Sequence, residues 1–526
     1  MVTNYLNNRV FVLYFCPLCL GILTVFSFQP FNLTIINFFV LPSVFYLLIY
    51  IKKKSKVTYR KKPFKKNFFI FGTFFGFGFY FSGIHWIINS LTFDSQFVFL
   101  IPIALVLIPL FLSLFFSILF LLIGPFLNLN LYSLFFFSGG LAIFDYLRAK
   151  ILTGFPWNLW VYSFSWSPEI IQILNKIGLF GLNLIFITIF LLPAVLFLNF
   201  SNTKKFLIFL FIPLLMSSFY IYGNFLINKN QIFLKSEQNN IEKQQPKVKV
   251  VSPNFNLEYN LTEKQIKERL KKLIRYSVPN KDNFTLFIWP EGVFSGYSYE
   301  EIKFLKSTMQ NSFSDKHYIL LGVNRLDKKK NGLYNSLIII NNKFEIIGEY
   351  KKQKLVPFGE FLPFEKFLNK IGLKKITEGH GSFLKGDRQK NLIIGELNIL
   401  PLICYEVIFT KFIQQSNKET NIIINISEDG WFGDSIGPYQ HFAKGIYRAI
   451  EQDTYFVRSA NKGVSAIIDN KGLVVKKLNP GEVGNIELDI PLIKSKNKNK
   501  NDLIFFVLLI TYIFIFYFYK KKYGTK

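Results

Sequence analysis

The sequence contains few of the residues that crosslink chains or bind metals. Three cysteines and four histidines occur among its 526 residues. Cys16 and Cys19 have CxxC spacing, but they lie inside an apolar run with no histidine or further cysteine nearby, which is typical of helix packing. The sequence therefore excludes a disulfide framework and a zinc-type centre, and we expect neither a metal nor a cofactor.

Acidic residues are also scarce. The chain has 33 aspartates and glutamates against 62 lysines and arginines, which gives a net charge of +29. A charge of this size can indicate binding to nucleic acid, but the lysine-rich bias runs through the whole chain and no arginine-aromatic groove motif occurs. We therefore expect anionic lipid headgroups, and not nucleic acid, as the partner of this charge.

Long apolar runs, in contrast, are abundant, and hydrophobic residues make up 51% of the chain. A helix of about 20 residues crosses the hydrocarbon layer of a membrane. Eight runs approach that length: Val10–Phe28, Leu33–Ile51, Phe68–Ile88, Phe97–Ile123, Leu129–Leu147, Ile177–Leu198, Phe206–Ile227 and Leu503–Tyr519. Asp145 near its end weakens the fifth run, and no small-residue cleavage site follows the first, so the first is read as a retained span. We predict an α-helical membrane domain with about eight spans.

The basic residues predict the orientation of these spans. The loop KKKSKVTYRKKPFKK between the second and third runs carries nine lysines or arginines and no acid, which marks it as cytoplasmic. Counting from that loop places the segment after Ile227 outside the cytoplasm. The predicted domains are a membrane domain over 1–228, a linker over 229–246, an extracytoplasmic domain over 247–493, and a basic linker, final span and tail over 494–526.

A different pattern begins near Lys247, where short apolar runs alternate with polar turns. Eight of these runs read as strands: VKVVSPNF, TLFIWPE, YILLGVN, NSLIIINN, NLIIGEL, ILPLICYE, NIIINISED and SAIIDN. Many are apolar throughout, which predicts strands covered on both faces. Two helices are expected beside them, one after a capping box of Thr262 and Gln265 and one over Tyr439–Gln452. This segment is therefore predicted to be a layered α/β domain.

Three strand ends in this domain carry residues able to do chemistry: Glu291 in FIWPEGVFSG, a lysine cluster in EYKKQKLVPFGE, and Cys404 in LICYE. Each signal is weak alone, because a buried cysteine is commonly inert packing. Together they supply a nucleophile, a base and a cation for an oxyanion, which are the parts of acyl transfer. If the lysine segment is extended, Lys352 and Lys354 point to the same face, so periodicity excludes Lys351 but does not choose between the other two.

These residues resemble the nitrilase superfamily, whose members share a Glu-Lys-Cys triad in that chain order. More narrowly, the chain resembles the apolipoprotein N-acyltransferases. The resemblance covers nearly the whole chain and includes the stretches FGFYFSGIHW, FDYLRAKILTGFPWNLWVYS, LVPFGEFLP, ICYE and NISEDGWFGDSIGPYQH. The resemblance implies an αββα sandwich domain carried by a multi-span membrane part.

The resemblance also implies roles for the candidate residues. It makes Glu291 the general base, Lys352 the oxyanion-stabilising lysine and Cys404 the nucleophile. The family spacing of lysine, two residues and then Leu-Val-Pro selects Lys352 over Lys354. The cation at Lys352 is expected to favour the thiolate of Cys404.

Further residues are expected to support the site or bind substrate. Glu360 matches a supporting carboxylate of the family, the Tyr405 backbone N–H is expected in the oxyanion hole, and Glu406 is either structural or catalytic. Substrate-binding candidates are Trp157, which suits interfacial depth, Arg148, which either pairs with a phosphate headgroup or snorkels, and Trp431 and Phe432, which either line an acyl pocket or pack in the core. His441 is expected to order the GDSIGPYQ loop.

The function implied by the resemblance is a two-step acyl transfer. An acyl chain would pass from the sn-1 position of a phospholipid to Cys404, and then to the α-amine of the diacylglyceryl cysteine of an apolipoprotein. The implied location is the bacterial inner membrane with the catalytic domain on the periplasmic side, and a monomer is the default expectation.

Two other functions fit parts of the sequence. A membrane-tethered amidase or nitrile hydrolase would use the same triad with water as acceptor, although soluble members of the superfamily need no spans. A transporter or receptor with a ligand-binding outer domain would form no covalent intermediate, and Cys404 would then be packing. A covalent acyl adduct on Cys404 distinguishes the enzymes from the transporter or receptor.

Overall fold

A computed structural model of the protein describes residues 8–58, 64–238, 245–363, 365, 382–387, 390–414, 419–493 and 502–523. The chain divides into two compact units. Unit 1 comprises Met1–Ile88, Gln96–Asn224 and Asn501–Lys526, and unit 2 comprises Asn89–Ser95 and Phe225–Lys500. The domain limits predicted from composition stay a prediction.

Unit 1 is built from α-helices. They are α1 (Cys16–Val25), α2 (Asn37–Thr58), α3 (Phe64–Ile84), α4 (Ile101–Ile123), α5 (Leu131–Lys150), α6 (Leu174–Leu191), α7 (Asn202–Gln238), which continues into unit 2, and, at the other end of the chain, α12 (Leu503–Tyr523). A π-helical turn, Phe11–Phe15, precedes α1, and a 3-10 helix, His85–Thr92, follows α3. Phenylalanine rings fill the contacts between these helices, for example Phe75 against Phe116 with ring centroids 5.0 Å apart.

The described residues contain six helical segments that are long and apolar enough to cross a membrane, and not the eight that the sequence predicted. The six are Thr34–Ser55, Lys65–Thr92, Ser95–Phe126, Leu174–Phe197, Asn202–Glu237 and Leu503–Lys522. The first predicted span forms only the short apolar helix Phe11–Val25. The fifth predicted span forms α5, whose apolar character is lowered by Asp145 and Arg148, which pair with each other at 2.8 Å.

Unit 2 contains two six-stranded sheets. The strands are β1 (Lys247–Ser252), β2 (Thr285–Ile288), β3 (His317–Asp327), β4 (Gly332–Asn341), β5 (Ile346–Lys351), β6 (Leu392–Ile394), β7 (Leu397–Ile403), β8 (Ile422–Glu428), β9 (Tyr455–Asn461), β10 (Ser465–Ile468), β11 (Val474–Leu478) and β12 (Gly484–Asp489). The first sheet has the order β12-β1-β2-β3-β4-β5, and the second has the order β11-β10-β9-β8-β7-β6. β1, β2 and β3 are parallel, as are β7, β8 and β9.

The two sheets enclose one apolar core, to which both contribute. Its members come from the inward faces of the central strands, such as Val250 and Ile288 of the first sheet and Ile399 and Ile424 of the second. All four of these side chains are fully buried. Burial of one aliphatic side chain contributes about 1.5–3 kcal/mol, so this layer stabilises the unit.

Helices cover the outer faces of the sheets. The helices of unit 2 are α8 (Glu263–Ser277), α9 (Lys306–Ser312), α10 (Thr410–Gln414) and α11 (Gly437–Gln452). α8 packs Ile266, Leu270 and Leu273 against a second apolar cluster on the first sheet. α11 packs against the second sheet, where a Cβ at Gly445 would lie 2.6 Å from the Phe456 ring. The arrangement is therefore the αββα sandwich that the resemblance implied.

The local sequence signals of this unit are confirmed. Thr262 is the N-cap of α8, and its side chain and that of Gln265 form both hydrogen bonds of a capping box. Such a cap contributes about 1 kcal/mol. All eight predicted strands are present, and the second predicted helix, Tyr439–Gln452, is α11 with two more residues at its start. Strands β5, β9, β11 and β12 were not among the eight.

Candidate active site

The predicted catalytic residues of unit 2 all follow the carboxyl ends of strands. Glu291 follows β2 and Lys352 follows β5, whose carboxyl ends meet at the same edge because two antiparallel pairings separate β3 from β5. Cys404 follows β7 directly in the second sheet. A Cβ at Gly322 of β3 would lie 2.8 Å from the Glu291 Cα, so a glycine is needed where β3 passes this residue.

Lys352 lies between two carboxylates. Its ammonium Nζ is 2.8 Å from Glu360 Oε1 and 3.6 Å from Glu291 Oε1, and its side chain is 1% exposed. Burial opposes the charged form, but the charges of Glu291 and Glu360 outweigh it and raise the pKa of Lys352. Asn335 of β4 connects the two carboxylates, because its amide Nδ2 donates to both of them at 2.7 Å. Lys352 is therefore a permanently charged group in a buried cluster.

Lys354 has different surroundings. Its ammonium lies 4.8 Å from the centre of the Phe409 ring, and its side chain is half-buried. Burial, together with the charges of Lys411 and Lys385, lowers its pKa. The structure thus distinguishes the two lysines that periodicity left open, since the carboxylate contacts belong to Lys352.

Cys404 occupies a turn with unusual backbone geometry. Its φ is +48°, a left-handed value that costs a non-glycine residue about 1–2 kcal/mol. Burial, and then the charge of Glu291, raise the pKa of the thiol, while the charge of Lys352 lowers it by less. Lys352 thus favours the thiolate, as expected, but burial and the charge of Glu291 outweigh it and leave the pKa of the thiol above its ordinary value. Attack by this sulfur requires a base to take its proton.

Glu406, which the sequence left open as structural or catalytic, holds two chain segments together. Four donors reach its carboxylate: the Tyr350 hydroxyl at 2.9 Å and the backbone N–H groups of Gln353 at 2.7 Å, Lys354 at 3.0 Å and Ile403 at 2.8 Å. Burial raises the pKa of Glu406 to about 7, although these bonds and Lys352 pull it down. Its contacts connect the strand end before Cys404 with the turn after Lys352, which is a structural arrangement.

Glu428 is a second carboxyl group next to Glu291. The backbone N–H of Glu428 donates to Glu291 Oε2 at 3.0 Å. The Glu428 carboxyl accepts from the Gly430 N–H at 2.9 Å and from the Asn461 amide at 2.7 Å. Burial raises its pKa to about 8, and nearby Glu291 contributes in the same direction. Burial beside Glu291 therefore favours the neutral form of Glu428, against the two hydrogen bonds that favour its charged form.

A buried polar network lies behind the Cys404 turn. The guanidinium of Arg458 contacts both Asp429 carboxylate oxygens, at 2.9 and 2.7 Å, and also Asn425 Oδ1. His441 lies with Nδ1 3.0 Å from Asp429 Oδ1 and Nε2 3.3 Å from the Cys404 carbonyl oxygen. Burial opposes ionisation, yet Arg458 and His441 lower the pKa of Asp429. Through His441, the turn that carries the thiol thus contacts the Arg458–Asp429 ion pair, whose side chains have no exposed surface.

Comparison with known proteins shows two family matches and several relatives. Residues 20–192 match the apolipoprotein N-acyltransferase N-terminal domain, and residues 247–497 match the carbon-nitrogen hydrolase domain. The apolipoprotein N-acyltransferase of Rhodopseudomonas palustris is 31% identical over 80% of this chain and 80% of its own length. That of Rickettsia prowazekii is 33% identical over 90% of this chain and 91% of its own length. The chain belongs to the apolipoprotein N-acyltransferase family.

Solved structures give matches of low sequence identity. A CN-hydrolase superfamily protein from Xanthomonas campestris is 15% identical, with a TM-score of 0.35, and the match covers 47% of this chain and 91% of that chain. The assignment to the N-acyltransferase family rests on the sequence relatives.

Two of the predicted substrate-binding residues lie in unit 1 of this N-acyltransferase family member. Trp157 is 1% exposed and packs its ring against Trp86, with centroids 4.8 Å apart, and against Phe155. Arg148 is also buried, and its guanidinium donates to Asp145 and to the Phe155 carbonyl. These contacts place both side chains in the packing of unit 1, and their predicted contact with substrate stays a prediction.

The other two predicted substrate-binding residues lie in unit 2. Trp431 contacts Phe93 with ring centroids 5.0 Å apart, and Tyr259 at 6.2 Å. The Phe432 carbonyl accepts a 2.6 Å hydrogen bond from Asn89. Both aromatic side chains are half-buried. The segment Asn89–Ser95 thus contacts Trp431 and Phe432 within unit 2. The distance in sequence between the two segments gave no indication of this contact.

Sequence reasoning missed Asn335, Asp429 and Arg458. Asn335 opens the strand NSLIIINN, and a polar residue at a buried strand position is a usable signal for a site. Asp429 and Arg458 belong to different elements, and nothing in either local sequence indicates the other. The arginine that follows the apolar residues YFV was an available hint, because a buried arginine needs a carboxylate partner.

The burial of His441 predicts a pH dependence of stability in this family member. Burial, and then the charge of Arg458, lower the pKa of His441 from 6.5 to about 4, while Asp429 raises it and Lys444 lowers it slightly. A group with a lowered pKa in the folded state stabilises the fold above its unfolded pKa, and this stability is lost as pH falls from 6.5 through 4. At about 1.4 kcal/mol per pKa unit, the loss is about 3 kcal/mol.

This dependence is measurable as the thermal unfolding midpoint in detergent between pH 4 and pH 7. We expect the midpoint of the wild type to fall more steeply with acid than that of His441→Gln, which cannot titrate. The carboxylates that do not contact His441 cancel in this difference, whereas Asp429, whose pKa His441 lowers, contributes to it. Parallel curves for the two proteins would show that His441 binds its proton equally in both states.

Proposed function

We propose that this protein is an apolipoprotein N-acyltransferase that works by a ping-pong mechanism. The acyl donor is a phospholipid, and the acceptor is the N-terminal α-amine of a diacylglyceryl-cysteine lipoprotein. The observation that carries the proposal is the convergence of a charged lysine, two carboxylates and a thiol in unit 2 of a chain from this family. These groups supply acyl transfer with its base, oxyanion stabiliser and nucleophile.

The first half-reaction forms a thioester. Glu291 takes the proton of Cys404 while the sulfur attacks the sn-1 ester carbonyl of the phospholipid. The carbonyl oxygen of the ester becomes an oxyanion next to the Lys352 ammonium and the Tyr405 backbone N–H. When this intermediate collapses, the bond from the carbonyl carbon to the glycerol oxygen breaks, and Glu291 returns its proton to that oxygen. The products are a lysophospholipid and an acyl-enzyme.

The second half-reaction consumes the thioester. The neutral α-amine attacks the thioester carbonyl, and Glu291 accepts a proton from the amine nitrogen. Collapse expels the Cys404 sulfur, which recovers that proton, and an amide bond remains. A buried thioester is reactive enough for an amine but must be kept from water, and the raised pKa of Cys404 keeps the resting thiol protonated between turnovers.

Glu360, Asn335 and Glu406 support these steps without touching the substrate. Glu360 and Asn335 fix the Lys352 ammonium and the Glu291 carboxylate with bonds of 2.7–2.8 Å. Glu406 fixes the two backbone segments on which the lysine and the cysteine lie. The Trp431 and Phe432 side chains are the candidates for contact with the acyl chain.

The proposed location is the inner membrane, with unit 2 on the periplasmic side. The support is the charge pattern, because the nine basic residues of the loop 52–66 favour the cytoplasm. Diacylglyceryl lipoproteins and phospholipids would both reach the enzyme from the bilayer in this orientation. The protein is proposed to act as a monomer.

Purified protein in detergent tests the proposal directly. The reaction contains a phospholipid labelled in its sn-1 acyl chain and a synthetic diacylglyceryl-cysteine peptide. We expect the label to appear in an amide on the peptide, together with one lysophospholipid per acyl chain transferred. The matched control is the same peptide with its α-amine acetylated, which we expect to receive no label. Free labelled fatty acid without a labelled peptide would instead indicate a hydrolase.

A further inference from the structure

The peptide group between Cys404 and Tyr405 connects the polar network to the oxyanion. In a trans peptide the C=O and the N–H point in opposite directions from one rigid plane. The C=O of this group belongs to Cys404 and lies 3.3 Å from His441 Nε2. The N–H belongs to Tyr405, the proposed oxyanion donor. Whatever fixes the direction of the carbonyl therefore also fixes the direction of the N–H.

His441 itself is held firmly. It lies on α11, its side chain has no exposed surface, and the Phe432 ring packs edge-on against it with centroids 5.3 Å apart. Its Nδ1 is 3.0 Å from Arg458 Nη2 and 3.0 Å from Asp429 Oδ1. The same Arg458 Nη2 also contacts both Asp429 oxygens, so its two hydrogens are shared among three acceptors. The imidazole therefore has little freedom to turn away from the Cys404 carbonyl.

The partners of the ring determine where its proton lies. The Cys404 carbonyl can only accept a hydrogen bond, and the Arg458 guanidinium can only donate one. A proton on Nε2 satisfies both, because Nε2–H donates to the carbonyl and Nδ1 accepts from Arg458. A proton on Nδ1 satisfies Asp429 alone and directs an N–H at the guanidinium and a lone pair at the carbonyl. The neutral ring with Nε2 protonated is therefore the favoured form.

The turn at Cys404 needs such support. A left-handed φ of +48° in a non-glycine residue persists only where its surroundings stabilise it. Asn425 gives further support, since its amide donates to the Leu402 carbonyl at 3.1 Å while its oxygen accepts from Arg458. One network thus fixes both the strand before the nucleophile and the peptide group after it.

We infer that His441 is a positioning residue for oxyanion stabilisation: its Nε2–H holds the Cys404 carbonyl and so directs the Tyr405 N–H toward the oxygen of the reacting acyl group. The inference rests on the proposed acyl-enzyme mechanism. It assigns His441 no proton transfer and no contact with substrate. It predicts that loss of the Nε2 donor slows reactions that pass through an oxyanion and spares those that do not.

Two substitutions at this position separate the two ring nitrogens. His441→Asn keeps a polar atom near Nδ1, facing Asp429 and Arg458, but is too short to reach the Cys404 carbonyl. His441→Gln keeps an N–H donor near Nε2. The matched control is His317→Asn, because His317 is also buried, accepts from the Ser314 N–H at Nδ1 and donates from Nε2 to the Asn280 carbonyl at 2.8 Å, at the start of β3.

The experiment measures two reactions of Cys404 in the purified full-length protein. The first is the burst of nitrophenolate on mixing with p-nitrophenyl octanoate, in which the sulfur displaces nitrophenolate through an oxyanion. The second is alkylation of the same sulfur by iodoacetamide, in which the sulfur displaces iodide and no oxyanion forms. We expect His441→Asn to slow the burst about 100-fold, the range for one oxyanion donor, and to leave alkylation within about threefold of wild type. We expect His441→Gln to restore the burst to within about tenfold, and His317→Asn to leave both rates unchanged.

Three results would overturn the inference. The burst and alkylation could fall together in His441→Asn, which would make His441 a support of the thiol or of the fold. The burst could be unchanged in that variant. The burst of His441→Gln could be about 100-fold below wild type, a result that decides the matter even if the asparagine variant does not fold. A wild-type protein with no burst at all would contradict the proposed function, whereas a normal burst without transfer to lipopeptide would contradict only its acceptor.

Discussion

Replacing Cys404 by alanine is expected to lower acyl transfer by at least about 10⁴-fold, since loss of a nucleophile removes the covalent route. Cys404→Ser should be nearly as impaired, because a hydroxyl is harder to deprotonate than the thiol and the base beside it is unchanged. In the wild type, incubation with phospholipid alone should add the mass of one acyl chain to the peptide containing Cys404. Mass spectrometry measures the adduct, and hydroxylamine should release it as expected for a thioester.

The other two thiols of the chain provide matched controls for this prediction. Cys16 and Cys19 lie in or next to α1, outside unit 2. Cys16→Ala and Cys19→Ala should retain transfer within about twofold and should still form the adduct. A Cys404→Ser protein that transfers acyl chains at the wild-type rate would remove the thioester from the mechanism.

The second large effect is expected from the lysines. Lys352→Ala should lower transfer by at least about 10²–10³-fold, because the oxyanion loses a buried cation. It should also destabilise the fold by about 3–5 kcal/mol, since Glu291 and Glu360 would be left without the charge that compensates them. Lys354→Ala, which removes a half-buried ammonium from the Phe409 ring, should stay within about threefold of wild type. Initial rates of labelled lipopeptide formation measure the difference.

A compensated variant separates the catalytic loss from the loss of stability. Lys352→Met combined with Glu360→Gln removes one positive and one negative charge from the cluster, so the thermal unfolding midpoint should return toward the wild-type value. Transfer should remain as slow as in Lys352→Ala. Recovery of activity along with stability would mean that Lys352 is a structural cation, and loss of activity in Lys354→Ala instead would move the oxyanion role to that residue.

Most of unit 2 could be predicted from the sequence because its signals are local. The capping box at Thr262 lies within four residues, and the buried central strands are short apolar runs between polar turns. The strands that escaped prediction carry polar residues for tertiary reasons. β11 reads VVKKL because it is an exposed edge strand, and β9 contains Arg458, whose charge is compensated by Asp429 from another element.

In the candidate site, too, the residues with local sequence signals were predicted and those with tertiary roles were not. Strand-end position and motif spacing indicated Glu291, Lys352 and Cys404, and the structure brings the three into one unit with contacting charges. The open role of Glu406 required coordinates, because its four donors come from two distant segments. The count of spans was too high for a related reason: hydropathy alone did not account for the Asp145–Arg148 pair in α5, or for how short the first helix is.

The pairing of β1 with β12 in the first sheet affects how unit 2 can fold during synthesis. β1 pairs with β12, so the strand of this unit that leaves the ribosome first waits for the one that leaves last. The turn at Cys404 likewise depends on Arg458 and His441, which are translated after it. A nascent or truncated polypeptide would therefore lack the assembled turn at Cys404, and the proposed acyl transfer would begin only once the whole of unit 2 has been synthesised.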